Sequence, residues 1–153
     1  MTEAAIGIAD LDFAYGERPV LGGVALRVMP GEIFGVVGAD GAGKTTLLQL
    51  AVGQWLPKGG RIRVLGRDAT DPALRDEIAY MPQGFGLYPD LSVQENLNFF
   101  ADLHGLPRTV ARERIAELLR RTGLAGFEDR RASNLSGGMM QKLALACALV
   151  SQP

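Results

Sequence analysis

The 153-residue sequence holds a single cysteine, Cys147, and a single histidine, His104. A lone thiol cannot close an internal disulfide, so nothing calls for an oxidising compartment. Its place in an apolar run marks it as a small buried hydrophobe rather than a reactive group. His104 precedes Gly105 at an expected helix end, the place of a terminal cation or a plain surface residue rather than a catalytic base. Long apolar runs are missing too. The longest, "LALACALV" at residues 143–150, falls far short of the ~18 residues that a membrane-spanning helix needs. The N-terminus lacks the basic segment and apolar segment of a secretory leader. There is no excess of charge of one sign: 16 Lys and Arg stand against 17 Asp and Glu, a net charge of -1. That leaves no basic footprint for nucleic acid or an anionic membrane surface. Internal repeats, low-complexity tracts and disordered linkers are also absent.

What is present is the composition of a globular protein with a sizeable core, 47% hydrophobic and 22% charged, in a length that fits one domain or part of one. Ile6, Ile8, Leu11, Phe13 and Tyr15 alternate roughly with polar or small residues. "VLGGVALRV" (20–28) does the same after a "GERP" turn, which predicts two antiparallel strands. "PGE" (30–32) turns the chain into "IFGVV" (33–37), a short apolar run that reads as a strand buried on both faces. "KTTLLQLAVG" (44–53) has helical spacing and stops at Gly53. A strand at 61–65, a short helix near 72–76 and a strand "IAYMP" at 78–82 follow. The middle is helical. Ser92 and Glu95 stand in capping-box spacing before a helix that closes on Gly105. In "RTVARERIAELLRRTG" (108–123), Ile115, Leu118, Leu119 and Thr122 share one face, with Gly123 as the stop.

"GADGAGKTT" (38–46) matches G-x-x-x-x-G-K-[ST], the general pattern of a phosphate-binding loop. It follows an expected strand and opens an expected helix. Phosphate oxygens must be met by backbone N–H groups at close approach, so Gly41 and Gly43 need to be free of side chains and able to take unusual dihedrals. The helix N-terminus adds partial positive charge. Lys44 is placed to neutralise the β- and γ-phosphates and the Thr45 hydroxyl to ligate a bridging Mg²⁺. The expected nucleotide contacts are Gly38, Ala39, Asp40, Gly41, Ala42, Gly43, Lys44, Thr45 and Thr46. Asp40 is the awkward member, since a carboxylate beside phosphate is repulsive. Its Asp-Gly pairing favours a turn role.

A second glycine pair opens the last helix. In "NLSGGMMQKLALACALV", Asn134 or Ser136 can cap a helix whose apolar positions Met139, Leu143, Ala146 and Val150 follow three-to-four spacing. Taken alone, this is equally a glycine-capped core helix.

The order Tyr15, "GADGAGKTT", "MPQ" (81–83) and "LSGGM" (135–139) resembles the ATP-binding domain of ABC transporters, from about residue 6 to 153. The resemblance implies an α/β P-loop fold, incomplete here. It comprises a small antiparallel β lobe, a parallel-sheet core that carries the P-loop, and a helical insert. Residues 1–83 and 133–153 would form the nucleotide-binding core and signature helix, and residues 84–132 the insert. Tyr15 would stack on adenine, unless it is a surface aromatic with no ligand. Gln83 would touch Mg²⁺ or the attacking water, unless it is a plain loop glutamine. Phe85 and Tyr88 would lie near the surface that meets a membrane subunit, or pack in the core. Ser136, Gly137 and Gly138 would bind the γ-phosphate held by a second ATP-binding domain in a head-to-tail dimer.

The implied ligands are ATP and Mg²⁺. The implied partners are that second domain and a transmembrane permease, at the cytoplasmic face of a membrane. No nucleic acid is expected. The sequence departs from the family pattern at Asp40, where Asn is usual, and at Met139, where Gln is usual. "LSGGM" followed by "QKLALACAL" looks most like the drug and antibiotic export branch. The family's next motifs, an apolar strand ending in Asp-Glu and a switch histidine, do not occur within 153 residues, so little hydrolysis is expected of this stretch. Two other readings remain open: a soluble ABC-type factor acting on ribosomes or DNA, and a nucleotide-binding module that never hydrolyses.

Overall fold

The computed structural model describes residues 3–153. Contacts divide the chain after Leu74 into two compact units. The first is built on one antiparallel sheet. Strand β1 (Ile6–Tyr15) pairs on one side with β2 (Arg18–Val28) and on the other with β3 (Gly59–Val64), and β4 (Arg67–Asp68) continues from β3. The order is therefore β2-β1-β3-β4.

Register explains the buried set. Ile8 stands opposite Leu26 on one side and Ile62 on the other, and Ile6 stands between Val28 and Val64. Alternation turns these apolar residues to one face. Helix α1 (Lys44–Ala51) buries Leu47, Leu50 and Ala51. The ladder slips between Ala9 and Asp12, where Asp10 has a φ of 50° and Gly60 a φ of 75°. A Cβ on Gly60 would meet the Asp10 carbonyl oxygen at 2.2 Å, so the bulge depends on glycine there.

Two expected strands do not form. Residues 33–37 carry no ladder partner, and Ile33 and Val37 are almost fully exposed, Val37 at 96%. Residues 78–82 are likewise irregular. A strand buried on both faces takes its hydrogen bonds and its cover from strands and helices distant in sequence. Among the described residues no strand takes that place. The parallel part of the expected sheet therefore does not form among the described residues, while the antiparallel sheet does.

The second unit is helical. Helices α2 (Val93–Leu103), α3 (Arg108–Thr122) and α4 (Gly137–Leu149) share one core, with Val93, Leu97 and Ala101 from α2, Ile115 and Leu119 from α3, and Leu143, Ala146 and Cys147 from α4. By contacts α4 packs with α2 and α3, whereas the expected division grouped residues 133–153 with the nucleotide-binding core. Local signals set the helix ends. Ser92 Oγ accepts from Glu95 N–H at 3.1 Å and Glu95 Oε2 accepts from Ser92 N–H at 2.7 Å, which completes the capping box. His104 is the C-cap of α2, 3.6 Å from Asp76, and Gly123 ends α3 with a φ of 69°. Arg114 of α3 donates to the carbonyls of Val150 and Ser151 at the end of α4, the end where a cation is favoured.

Asn96 is fully buried on α2. Its Nδ2 donates to the carbonyls of Tyr88, Leu91 and Ser92, and its Oδ1 accepts from Tyr88 N–H at 2.9 Å. One side chain thus holds the 88–92 loop against the helix. Cys147 is buried as expected, and burial pushes its thiol from an ordinary 9.0 up to about 12.

Asn96→Ala orphans the Tyr88 N–H and removes the loop's anchor, and is expected to destabilise the chain by about 3 kcal/mol in urea unfolding. Burial also predicts a slow thiol. At pH 8 the native chain is expected to react with a disulfide reagent about a thousandfold more slowly than the urea-unfolded chain, because the thiolate is scarce and covered.

Candidate phosphate-binding site

The phosphate loop leaves residue 37 and enters α1 through Gly43, whose φ of 89° lies in the left-handed region. A Cβ there would meet Leu21 Cδ2 at 2.8 Å and Val20 Cγ1 at 3.2 Å. Glycine is thus required twice, for the dihedral and for the approach to β2. No side chain caps α1 and no acidic residue stands in its first turn. The first N–H groups of the helix are left for an external acceptor, and the end of the dipole is not offset. An anion is the acceptor that suits such an end.

Lys44 Nζ donates to Gly38 O at 2.8 Å and to Ala39 O at 2.7 Å. The loop therefore wraps its own ammonium. Thr45 is exposed, whereas Thr46 is buried and its Oγ1 lies 3.3 Å from the Tyr15 hydroxyl. Gly38, Ala39, Asp40, Gly41 and Ala42 are exposed, and Gly41 has a φ of 79°. Asp40 stands in the turn with no hydrogen bond or ion pair among the described residues, which agrees with a turn role. No cluster of three His, Cys, Asp or Glu side chains that could hold a metal occurs among the described residues. A Mg²⁺ at this loop would rest on the Thr45 hydroxyl and phosphate oxygens, a hard oxygen set that suits it.

Tyr15, the last residue of β1, joins the loop through Thr46. Its ring also meets Phe13 at 4.9 Å and Trp55 at 5.7 Å, both edge to face. Trp55 had no signal in the sequence, because a single aromatic in the "GQWLP" turn fits no motif.

The other expected site residues belong to the second unit. Gln83 is exposed, one of the two central residues of a turn that Phe85 N–H closes by donating to Pro82 O. Tyr88 is 45% exposed and stacks edge to face on Phe99, which does the same on Phe100. Ser136, rather than Asn134, caps α4, and its Oγ accepts from Met139 N–H at 3.3 Å. Gly137 and Gly138 are exposed, and a Cβ on either would meet nothing within 4 Å. A cavity of about 740 Å³ between α2 and α3 includes none of these residues.

The family model for the ABC transporter matches residues 21–153. The chain belongs to the ABC transporter family. It is 43% identical over 157 residues to the probable multidrug ABC transporter ATP-binding protein YbhF of Escherichia coli (strain K12), covering all of this chain and 27% of that protein. It is 40% identical to the Nod factor export ATP-binding protein I of Paraburkholderia xenovorans (strain LB400), covering 51% of it. Relatives named for import match at somewhat lower identity. A solved ATP-binding subunit of an ABC transporter superposes with a TM-score of 0.84 at 30% identity, over 97% of this chain and 63% of that one. The chain thus spans between about a quarter and a half of the length of these curated relatives, and under two thirds of the solved ATP-binding subunit.

Gly43→Ala is expected to cost about 1–2 kcal/mol from the left-handed dihedral alone, read as a lower urea midpoint.

Proposed function

We propose that this chain binds MgATP at residues 38–46 with the adenine on Tyr15, and that in its complete protein it drives export across a membrane. The observation that carries the reading is the uncapped N-terminus of α1, launched by left-handed Gly43, with the Lys44 ammonium held at the mouth of the loop.

The roles follow from the chemistry of each group. Backbone N–H groups of Gly41, Gly43, Lys44 and Thr45 would meet phosphate oxygens. Lys44 has three donors and spends two on loop carbonyls, so the third can reach a phosphate without the loop being dismantled. Mg²⁺, when bound, supplies charge neutralisation between the β- and γ-phosphates. Thr45 is the side chain that would hold it, with Gln83 as the second contact that the family pattern suggests.

Ser136 can keep its cap and still act. Its oxygen accepts from Met139 N–H while its own proton remains free for an anion. The open space over Gly137 and Gly138 fits a phosphate presented by a second ATP-binding domain. Such a nucleotide would join two copies, and its hydrolysis would release them. A transmembrane permease is the proposed second partner, as membership of the ABC transporter family implies. The signature sequence is the ground for export over import, and a Nod factor export protein is among the relatives of higher identity.

Calorimetric titration with MgATP is expected to give weak saturable binding that Lys44→Ala lowers by at least about tenfold, the loss of a charge-assisted phosphate contact. Phosphate release by the 153-residue chain is expected to stay at background. Steady release abolished by Lys44→Ala would overturn the proposed separation of binding from turnover.

A further inference from the structure

Tyr15 is held from three sides. Phe13, two residues earlier on β1 and so on the same face of the strand, meets it at 4.9 Å with the rings at 90°. Thr46 Oγ1 holds its hydroxyl at 3.3 Å. The third support is Trp55, from the turn after α1, whose ring stands at 88° to that of Tyr15 with centroids 5.7 Å apart. Trp55 also leans on Phe13 at 6.3 Å.

These supports differ in what else they do. Phe13 is 6% exposed and belongs to the core of the unit, and Thr46 is buried on α1. Trp55 is 46% exposed, and Tyr15 is 42% exposed. The covered half of Trp55 lies against the rings of Phe13 and Tyr15. Its contact with the ring of Tyr15 is the specific thing it does here, and an edge-to-face pair has a preferred geometry that fixes the ring plane.

We propose that Trp55 is a positioning residue for purine-nucleotide binding: it fixes the plane of the Tyr15 ring so that the base meets a preset platform. This deepens the reading of Tyr15 as the base-stacking residue and rests on it. A free Tyr15 would lose side-chain freedom on stacking, whereas a ring already pinned by Phe13, Thr46 and Trp55 has lost it beforehand. The contribution belongs to the base and not to the phosphates, because Trp55 touches rings and has no bond to residues 38–45.

The test separates base from phosphate in the 153-residue chain. Calorimetry compares MgATP with magnesium tripolyphosphate for wild type, Trp55→Ala, Trp55→Phe and Tyr15→Ala. Thermal melts by circular dichroism confirm that each variant is folded. Trp55→Ala is expected to weaken MgATP by about three- to tenfold, the range of an aromatic pair, with tripolyphosphate unchanged. Trp55→Phe is expected to recover most of the loss. Equal loss for both ligands would assign Trp55 a structural role and overturn the proposal, as would no loss for either. Tyr15→Ala separates the two levels. If it weakens MgATP while Trp55→Ala does not, only the positioning role falls; if it has no effect on MgATP, the base-stacking reading falls and the proposal with it.

Discussion

The left-handed residue at the start of α1 is the constraint on which the site depends. With a φ of 89°, Gly43 lets the loop turn sharply into the helix while its α-carbon lies against Val20 and Leu21 of β2. That contact ties the phosphate loop to the sheet, and the sheet in turn carries Tyr15 at the end of β1. Because no side chain caps the helix, its first N–H groups stay directed out of the fold. The arrangement leaves local stability unclaimed, since an ordinary cap is worth about 1 kcal/mol. What it retains is an electrostatically positive helix end with no internal acceptor.

How much was legible in the sequence follows from how local each signal is. The capping box at Ser92 and Glu95, the Ser136 cap, the glycine stop at Gly123 and the hairpin of β1 and β2 all formed where the pattern placed them. Each is decided by residues within a few positions of one another. The entry into α1 through Gly43 was legible for the same reason. Residues 33–37 were not, although their pattern is as apolar as any strand in the chain. An apolar run states that a segment belongs in a core, but it cannot state what pairs with it. With no ladder beside it, Ile33 and Val37 lie in solvent.

Two residues escaped the sequence for a different reason. Asn96 lies in the first turn of α2, and the course of the 88–92 loop brings four backbone groups around its amide. Removing one such partner leaves a buried polar group unpaired, which is why a fully satisfied amide specifies its loop so strongly. Trp55 likewise gains meaning only beside Phe13 and Tyr15. Sequence spacing finds residues that act through the backbone nearby, and it misses side chains whose partners come from another element.

The two sides of the phosphate loop are held unequally, and this bears on how an anion would enter. The exit is fixed by α1, whose Leu47 and Leu50 are buried under the sheet. The entry follows the unpaired residues 33–37, and the bonds that draw it in come from Lys44 to the carbonyls of Gly38 and Ala39. The same ammonium therefore closes the loop before binding and would meet the phosphate during it. These demands do not exclude one another, because an ammonium offers three donors and the carbonyls take two. Replacing the lysine would remove more than a charge: the entry would lose the tether that shapes the cradle. On the proposed function, one side chain would carry both loop shape and phosphate affinity.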